Sequence, residues 1–360
     1  MRDAPKEILE SWPAPDHQNP ERQGPGLLII QLIFCPLGII SVLARLYVRT
    51  VMVRRAGLDD WLMFTAMVIG VGVTVTVILA TELYGWNIHV WDLTPSQATL
   101  GRKASISAQT LFVIGSGLVK SSILISYLRI APLDSWFRRL TQCSIPLVVT
   151  LIMVFLIALW TQCIPPSAYW DMHSGGKCIN EGPPLIAQSI IAVMSDILVY
   201  VLPFPTLSRL RLPFSQRFVL LIIFSCGIIV IIAGCMRTYW VIQVVDETYD
   251  VTWDGFRMWT WTAVEVNLGV ICGCVPTLRP LFKSSIGVAT ERTRKASAAS
   301  GMSVGVLPHE RVLRTRRKKL SWLESLGQDE CQSCGGSNSV LCQRNEVELD
   351  EGSVGKAAGV

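Results

Sequence analysis

The sequence predicts an all-α membrane protein: a seven-helix transmembrane bundle with its N-terminus outside or lumenal and a disordered cytosolic C-terminal tail. Three observations lead there. Of 360 residues, 51% are hydrophobic and only 16% charged, where soluble domains carry about 25% charged residues. The charges are segregated, with long runs almost free of them and a basic stretch after residue 282. Seven runs meet or approach the ~20 apolar residues that a helix needs to cross a hydrocarbon core of ~30 Å. The formal net charge of +5 then belongs to short loops and the tail, away from most aromatic residues, and gives no nucleic-acid surface.

The chain divides into a polar segment (1–26), a helical domain (27–282) and a basic, Ser/Gly-rich tail (283–360). Residues 1–26 are polar and punctuated by prolines, unlike a cleavable leader, so the first span is expected to act as an uncleaved anchor. The spans are placed at Leu27–Tyr47, Asp60–Glu82, Ser105–Leu128, Leu140–Cys163, Leu185–Leu207, Arg217–Val241 and Phe256–Phe282. Orientation follows from the loops. Arg49, Arg54 and Arg55 follow span one, Arg129, Arg138 and Arg139 span three, and Arg209, Arg211 and Arg217 span five. The loop before span seven is acidic, with Asp246, Glu247, Asp250 and Asp254.

Charges inside the spans are the candidates for chemistry, because each costs about 2.5 to 3.5 kcal/mol at a helix centre even on the gentler scale. Asp196 in span five and Glu265 in span seven both lie roughly 14 to 17 Å from the outer ends at 1.5 Å per residue. They are expected to form one polar site near the midplane. Asp196 shares its helix side with Gln188, Ala192, Tyr200 and Pro203, and Glu265 with Trp261, Gly269 and Cys272. Neither carboxylate suits so apolar a place unless it is protonated or paired, and Lys120 and Arg237 are the cations at hand. Ligand-binding candidates are therefore Asp196, Tyr200, Trp261, Glu265, Asn267, Lys120, Arg237 and His89. Lys120 is also placed to snorkel toward headgroups, and Glu82, His89 and Arg237 to rim an outer mouth. For the carboxylate pair three roles stay open: interhelical fastening, ligand recognition, and proton donation to a lipophilic substrate. Asp59 and Asp60, opening span two, read as structural partners of Arg45, Arg49, Arg54 or Arg55.

Several segments resemble one family, the fungal rhodopsin-like seven-helix membrane proteins, also named for a member of the satratoxin mycotoxin cluster. In order they are "ARLYVRTVMVRRAGLDDWLM", "LVKSSILISYLRI", "TQCIPPSAYWDMHSGGKCIN", "SDILVYVLPFPTLSRLRL", "GIIVIIAGCMRTYWV" and "WTAVEVNLGVICGCVPTLRPLF". "YGWNIH" departs from the family's Tyr-Gly-x-Gly-x-His turn by having Asn87 at the second glycine. The family name suggests a photoreceptor, but retinal needs a lysine amine in the last span, and Phe256–Phe282 has none. No cofactor is expected. Span three ends "SYLRI" and span seven "VPTLRPLF", so the acidic-Arg-aromatic and Asn-Pro-x-x-Tyr signatures of coupled receptors are missing, and G-protein coupling is an analogy of architecture alone. Cys163 and Cys178 flank the family's outer loop, which favours a disulfide over two unpaired thiols. Cys331 and Cys334, even with Cys342, fall short of four metal ligands. No metal is expected. "RKAS" at Ser297 and "RRKKLSW" at Ser321 read either as kinase sites or as a basic contact with anionic lipid.

Three functions follow as expectations. One is a receptor-like or accessory protein binding a lipophilic small molecule, with relatives in secondary-metabolite clusters as the resemblance implies, in the plasma membrane or endoplasmic reticulum. Its partners would be the bilayer, that molecule, and a cytosolic signalling protein or pathway enzymes. The second is a membrane-embedded cyclase or isomerase using Asp196 or Glu265 as acid. The third, a proton-linked carrier, is weakened by the lack of an inverted repeat.

Overall fold

The computed structural model describes residues 5–130, 136–171, 175–203 and 214–278, with side chains of 214–224 left aside. The described residues belong to one compact unit; residues 289–360, with the tail cysteines and both serine motifs, lie outside the described residues. Among the described residues seven helices are long and apolar enough to span a membrane. They are α1 (Gly26–Tyr47), α2 (Leu58–Glu82), α3 (Pro95–Ile130), α4 (Trp136–Thr161), α5 (Gly182–Val201), α6 (Phe214–Ile242) and α7 (Val251–Cys274). A two-stranded hairpin, β1 (Cys163–Ile164) paired antiparallel with β2 (Lys177–Cys178), lies between α4 and α5 and is closed by the Cys163–Cys178 disulfide.

Span three begins ten residues before its expected start because "TPSQ" is a helix-starting signal that hydropathy overlooks. Pro95 fits the first turn, where no N–H partner is needed. Thr94 and Gln97 cap each other: the Thr94 N–H donates to Gln97 Oε1 at 3.1 Å and the Gln97 N–H to Thr94 Oγ1 at 3.4 Å. At the far end of the bundle α7 stops short of Phe282, passing into a 3₁₀ turn at Val275–Leu278 where Pro276 interrupts the ladder. Residues 204–207 of span five and 279–282 of span seven fall outside the described residues.

Neighbouring helices pack in sequence around the bundle, α7 closes against α1, and α3 and α7 also touch through the middle. In their most apolar stretches α3 and α7 bury 67% and 61% of residues, against 17–33% for the other five. The outer helices instead turn Leu32, Ile40, Val154, Ile157 and Ile232 outward, each about half exposed or more. Lipid tails are the natural cover for such a belt. Trp61 and Trp136 near one end, and Trp160 and Tyr239 near the other, are also exposed, at the levels where amphipathic rings favour the membrane boundary.

Two polar layers fix the ends. At the arginine-rich end Arg45 of α1 is fully buried. It donates Nε to Asp60 Oδ1 at 2.9 Å, Nη2 to Asp59 Oδ2 at 2.9 Å and to Ser126 Oγ at 3.1 Å, and Nη1 to the Gly273 carbonyl at 2.9 Å. One guanidinium thus joins α1, α2, α3 and α7. Arg49 stands 3.5 Å from Asp59 and Arg129 reaches its other oxygen at 3.2 Å. Arg129 was not among the partners expected for this cluster, because its helix lies far away in sequence.

At the disulfide end His89 is more than a solvated rim residue. Its ring stacks between Trp91, at 4.4 Å, and Trp253, at 3.9 Å, and its Nδ1 lies 2.5 Å from Asp250 Oδ2. Asp250 Oδ1 meanwhile accepts from the Val90 N–H at 3.0 Å and caps α7 at Trp253. The N-terminal segment is tied to the same place: Trp12 meets Trp91, the Asp16 N–H donates to Asp92, and the Gln23 N–H to the Asn87 carbonyl. The turn keeps one glycine, Gly85 at φ +80°, and Asn87 serves it through its backbone. Close packing also demands Gly255, where a Cβ would lie 2.7 Å from the Trp86 ring.

Replacing Arg45 by Met removes the nearest cation from two buried carboxylates and should cost about 3 to 5 kcal/mol, whereas Arg129→Ala, on a side chain 36% exposed, should cost about 1 kcal/mol or less. Thermal unfolding in nanodiscs measures both; equal losses would contradict the buried lock. His89→Ala should speed hydrogen exchange across residues 16–23 and 87–92 while leaving the middle of α3 and α7 protected.

Candidate midplane site

At the midplane Lys120, Asp196, Arg237 and Glu265 settle into two ion pairs. Lys120 of α3 reaches Asp196 Oδ1 of α5 at 3.2 Å, and its ammonium also donates to the Ala192 carbonyl at 3.0 Å and Ser195 Oγ at 2.7 Å. Arg237 of α6 donates Nε to Glu265 Oε2 of α7 at 2.6 Å and Nη2 to Oε1 at 3.4 Å, with Nη1 to Ser189 Oγ at 3.2 Å. Its planar face lies over the Phe112 ring at 4.8 Å, a cation–π contact that strengthens when water is absent. All four residues are at least nine-tenths buried.

Two expectations change here. Lys120 does not snorkel, since Asp196 and two α5 oxygens hold it inside the bundle, a better solution than stretching its stem to the headgroups. Arg237 does not share the mouth with His89 and Glu82; Glu265 draws it inward from five residues before the end of α6. The carboxylates remain neighbours, lining one gap together with Ser116, Lys120, Tyr200 and Gly269. Trp261 and Asn267 stand elsewhere. Trp261 is half-buried and lines neither midplane gap. Asn267 turns toward α1, where its Nδ2 lies 3.5 Å from Gln31 Oε1, itself bonded to Thr74 at 3.0 Å.

The gap at the carboxylates admits water-sized groups over about 20 Å³, little more than the ~10–15 Å³ one water needs. A second gap of about 40 Å³ adjoins it, sharing Phe112, Ser116 and Lys120. This one lies between α3, α4 and α5, and its remaining walls are mostly apolar, with Val113, Leu151, Ile152 and Phe155 beside the polar Gln188 and Ser195. Because α4 and α5 touch each other sparsely, it forms a cleft on the lipid-facing side that ends at Lys120. A wider vestibule of about 80 Å³ opens at the disulfide end between Trp86, Arg102, Tyr169, Glu181 and Tyr249. There burial, and next the charge of Glu181, pushes the Tyr169 phenol up, so it remains a neutral hydroxyl.

Sequence reasoning overlooked Ser189, Ser195 and Ser116, because a serine on an apolar helix carries no distinctive pattern. The i+4 spacing of Ser116 and Lys120, and the adjacency of Ser195 and Asp196, are the signals that would have found two of them. Among the described residues no group of three His, Cys, Asp or Glu side chains is arranged for a metal ion.

Comparison with known proteins places these features in a family. The fungal rhodopsin domain matches residues 44–284. A SAT4 family membrane protein of Emericella nidulans is 29% identical over 232 residues, covering 62% of this chain and 58% of the relative. Wortmanamides biosynthesis cluster protein C of Talaromyces wortmannii is 26% identical over 249 residues, 68% of this chain and 67% of its own. Receptor GIN3 of Arthrobotrys oligospora is 24% identical over 265 residues, 70% of this chain and 62% of its own. The chain thus spans between 58% and 67% of the length of these relatives. No solved structure matches it. The matched region begins one residue before Arg45 and contains the arginine lock, both midplane pairs and the histidine clamp; this multi-pass membrane protein belongs to the fungal rhodopsin domain family.

Proposed function

We propose that the protein is a receptor-like or accessory component of fungal secondary metabolism that binds a lipophilic small molecule in the cleft between α3, α4 and α5. The observation that carries this reading is the cleft itself: apolar walls on the lipid-facing side, ending at the buried Lys120–Asp196 pair. A molecule dissolved in the bilayer meets an apolar entrance and a polar floor, the usual composition of a small-ligand site. Relatives named as a receptor and as a biosynthesis cluster protein support both halves of the proposal.

The competing enzymatic reading needs a carboxyl that presents a proton to substrate. Both Glu265 oxygens accept from Arg237, so neither is left to present one. Of the two carboxylates, Asp196 keeps an oxygen, Oδ2, without a hydrogen-bond partner among the described residues, and a binding site uses that oxygen as an acceptor. For orientation, we place the disulfide end outside or in the lumen, because the Cys163–Cys178 bond suits an oxidising compartment and the arginines gather at the opposite end.

A diazirine-bearing lipophile, photoactivated with the protein in nanodiscs, should label peptides holding residues 112–120 and 148–155 saturably. Label spread evenly over lipid-facing positions such as Ile40 and Ile232 would overturn the cleft. Leu151→Trp should reduce the specific labelling several-fold. Lys120→Met alone should lower stability by about 3 to 5 kcal/mol, and the double change Lys120→Met/Asp196→Leu should restore most of it, read as unfolding temperature. A glycosylation acceptor introduced among residues 16–24 should gain a glycan; modification of an acceptor in the α1–α2 loop instead would reverse the topology.

A further inference from the structure

One polar atom of the midplane site has no use within the protein. Asp196 is 5% exposed and its Oδ1 faces Lys120, but its Oδ2 is buried with no hydrogen-bond partner among the described residues. An unpaired buried carboxylate oxygen is costly, and this residue lines the inner gap beside Ser116 and Tyr200. On the proposed reading that the cleft binds a lipophile, we infer that the ligand carries a neutral hydroxyl group and donates its O–H to Asp196 Oδ2.

Three features select that class. The first is polarity. Lys120 donates to the Ala192 carbonyl and Ser195 Oγ and is ion-paired with Asp196 Oδ1 at 3.2 Å, and Arg237 lines neither gap. The midplane therefore offers an incoming group a strong acceptor and no spare cation, which suits a donor and disfavours an acid. The second is charge. Lys120 and Arg237 already balance Asp196 and Glu265, so an ammonium would add an uncompensated charge deep in the bundle. A hydroxyl adds none. The third is size. About 20 Å³ beside Asp196 takes one water-sized group, so a hydroxyl or hydroxymethyl fits while the apolar body stays in the outer cleft. Ser116 borders both gaps, where its hydroxyl can meet the ligand oxygen in return.

The test uses the full chain in nanodiscs and competition against the photoactivated lipophile by four molecules of one length: n-dodecanol, dodecyl methyl ether, dodecanoic acid and n-dodecylamine. The alcohol should compete about tenfold better than the ether, as expected for one hydrogen bond to a charged acceptor, and better than the acid or the amine. Asp196→Asn combined with Lys120→Gln keeps the charge balance and should erase the alcohol's advantage while leaving the ether unchanged. Ser116→Ala, which disturbs no ion pair, should reduce the advantage about two- to threefold. If all four compete equally, or the acid or amine competes best, the hydroxyl inference is overturned while cleft binding stands. If the cleft is not labelled at all, the binding reading itself is overturned.

Discussion

The hydrocarbon core supplies no water, so each charge placed inside this bundle must be cancelled by an opposite charge within hydrogen-bond reach. That constraint decides which helices touch and at what depth. Arg45 is its strictest case: a fully buried guanidinium whose donors go to Asp60, Asp59, Ser126 and the Gly273 carbonyl, leaving four helices no freedom to separate at that end. Lys120 with Asp196 joins α3 to α5, and Arg237 with Glu265 joins α6 to α7. Lipid provides little drive for helices to associate through apolar area alone, so such links and close packing set the arrangement.

The spanning helices were legible because membrane crossing imposes a length and a hydropathy that sequence displays openly. The presence of charge in spans three, five, six and seven was equally visible, and with it the prospect that Lys120 and Arg237 would answer Asp196 and Glu265. Pair assignment was not visible. Depth counted along separate helices carries an uncertainty of a turn, and Arg237, judged from the helix end, was placed at the mouth when its long side chain reaches down to Glu265. Trp261 and Asn267 show a related limit: both lie within a turn of Glu265, yet one belongs to no midplane gap and the other faces α1 and Gln31. Which side of a helix looks inward is settled by its neighbours, and a single span says little of those.

The histidine clamp illustrates why loops resisted reading. His89 and Trp91 come from the connection between α2 and α3, and Asp250 and Trp253 from the start of α7, a separation of 161 for the His89 to Asp250 contact. Each alone looks like an ordinary polar or aromatic loop residue. Their meeting depends on α2, α3 and α7 standing side by side, and so on the buried pairs beneath them.

Helix α7 takes part in every polar layer: Asp250 at its start holds His89, Glu265 in its middle holds Arg237, and the Gly273 carbonyl at its end receives Arg45. It works as a common shaft with a bearing at each level. A rise of one residue along its axis, ~1.5 Å, would strain all three bearings together, so a disturbance at either membrane face or at the midplane reaches the other two without any intervening loop.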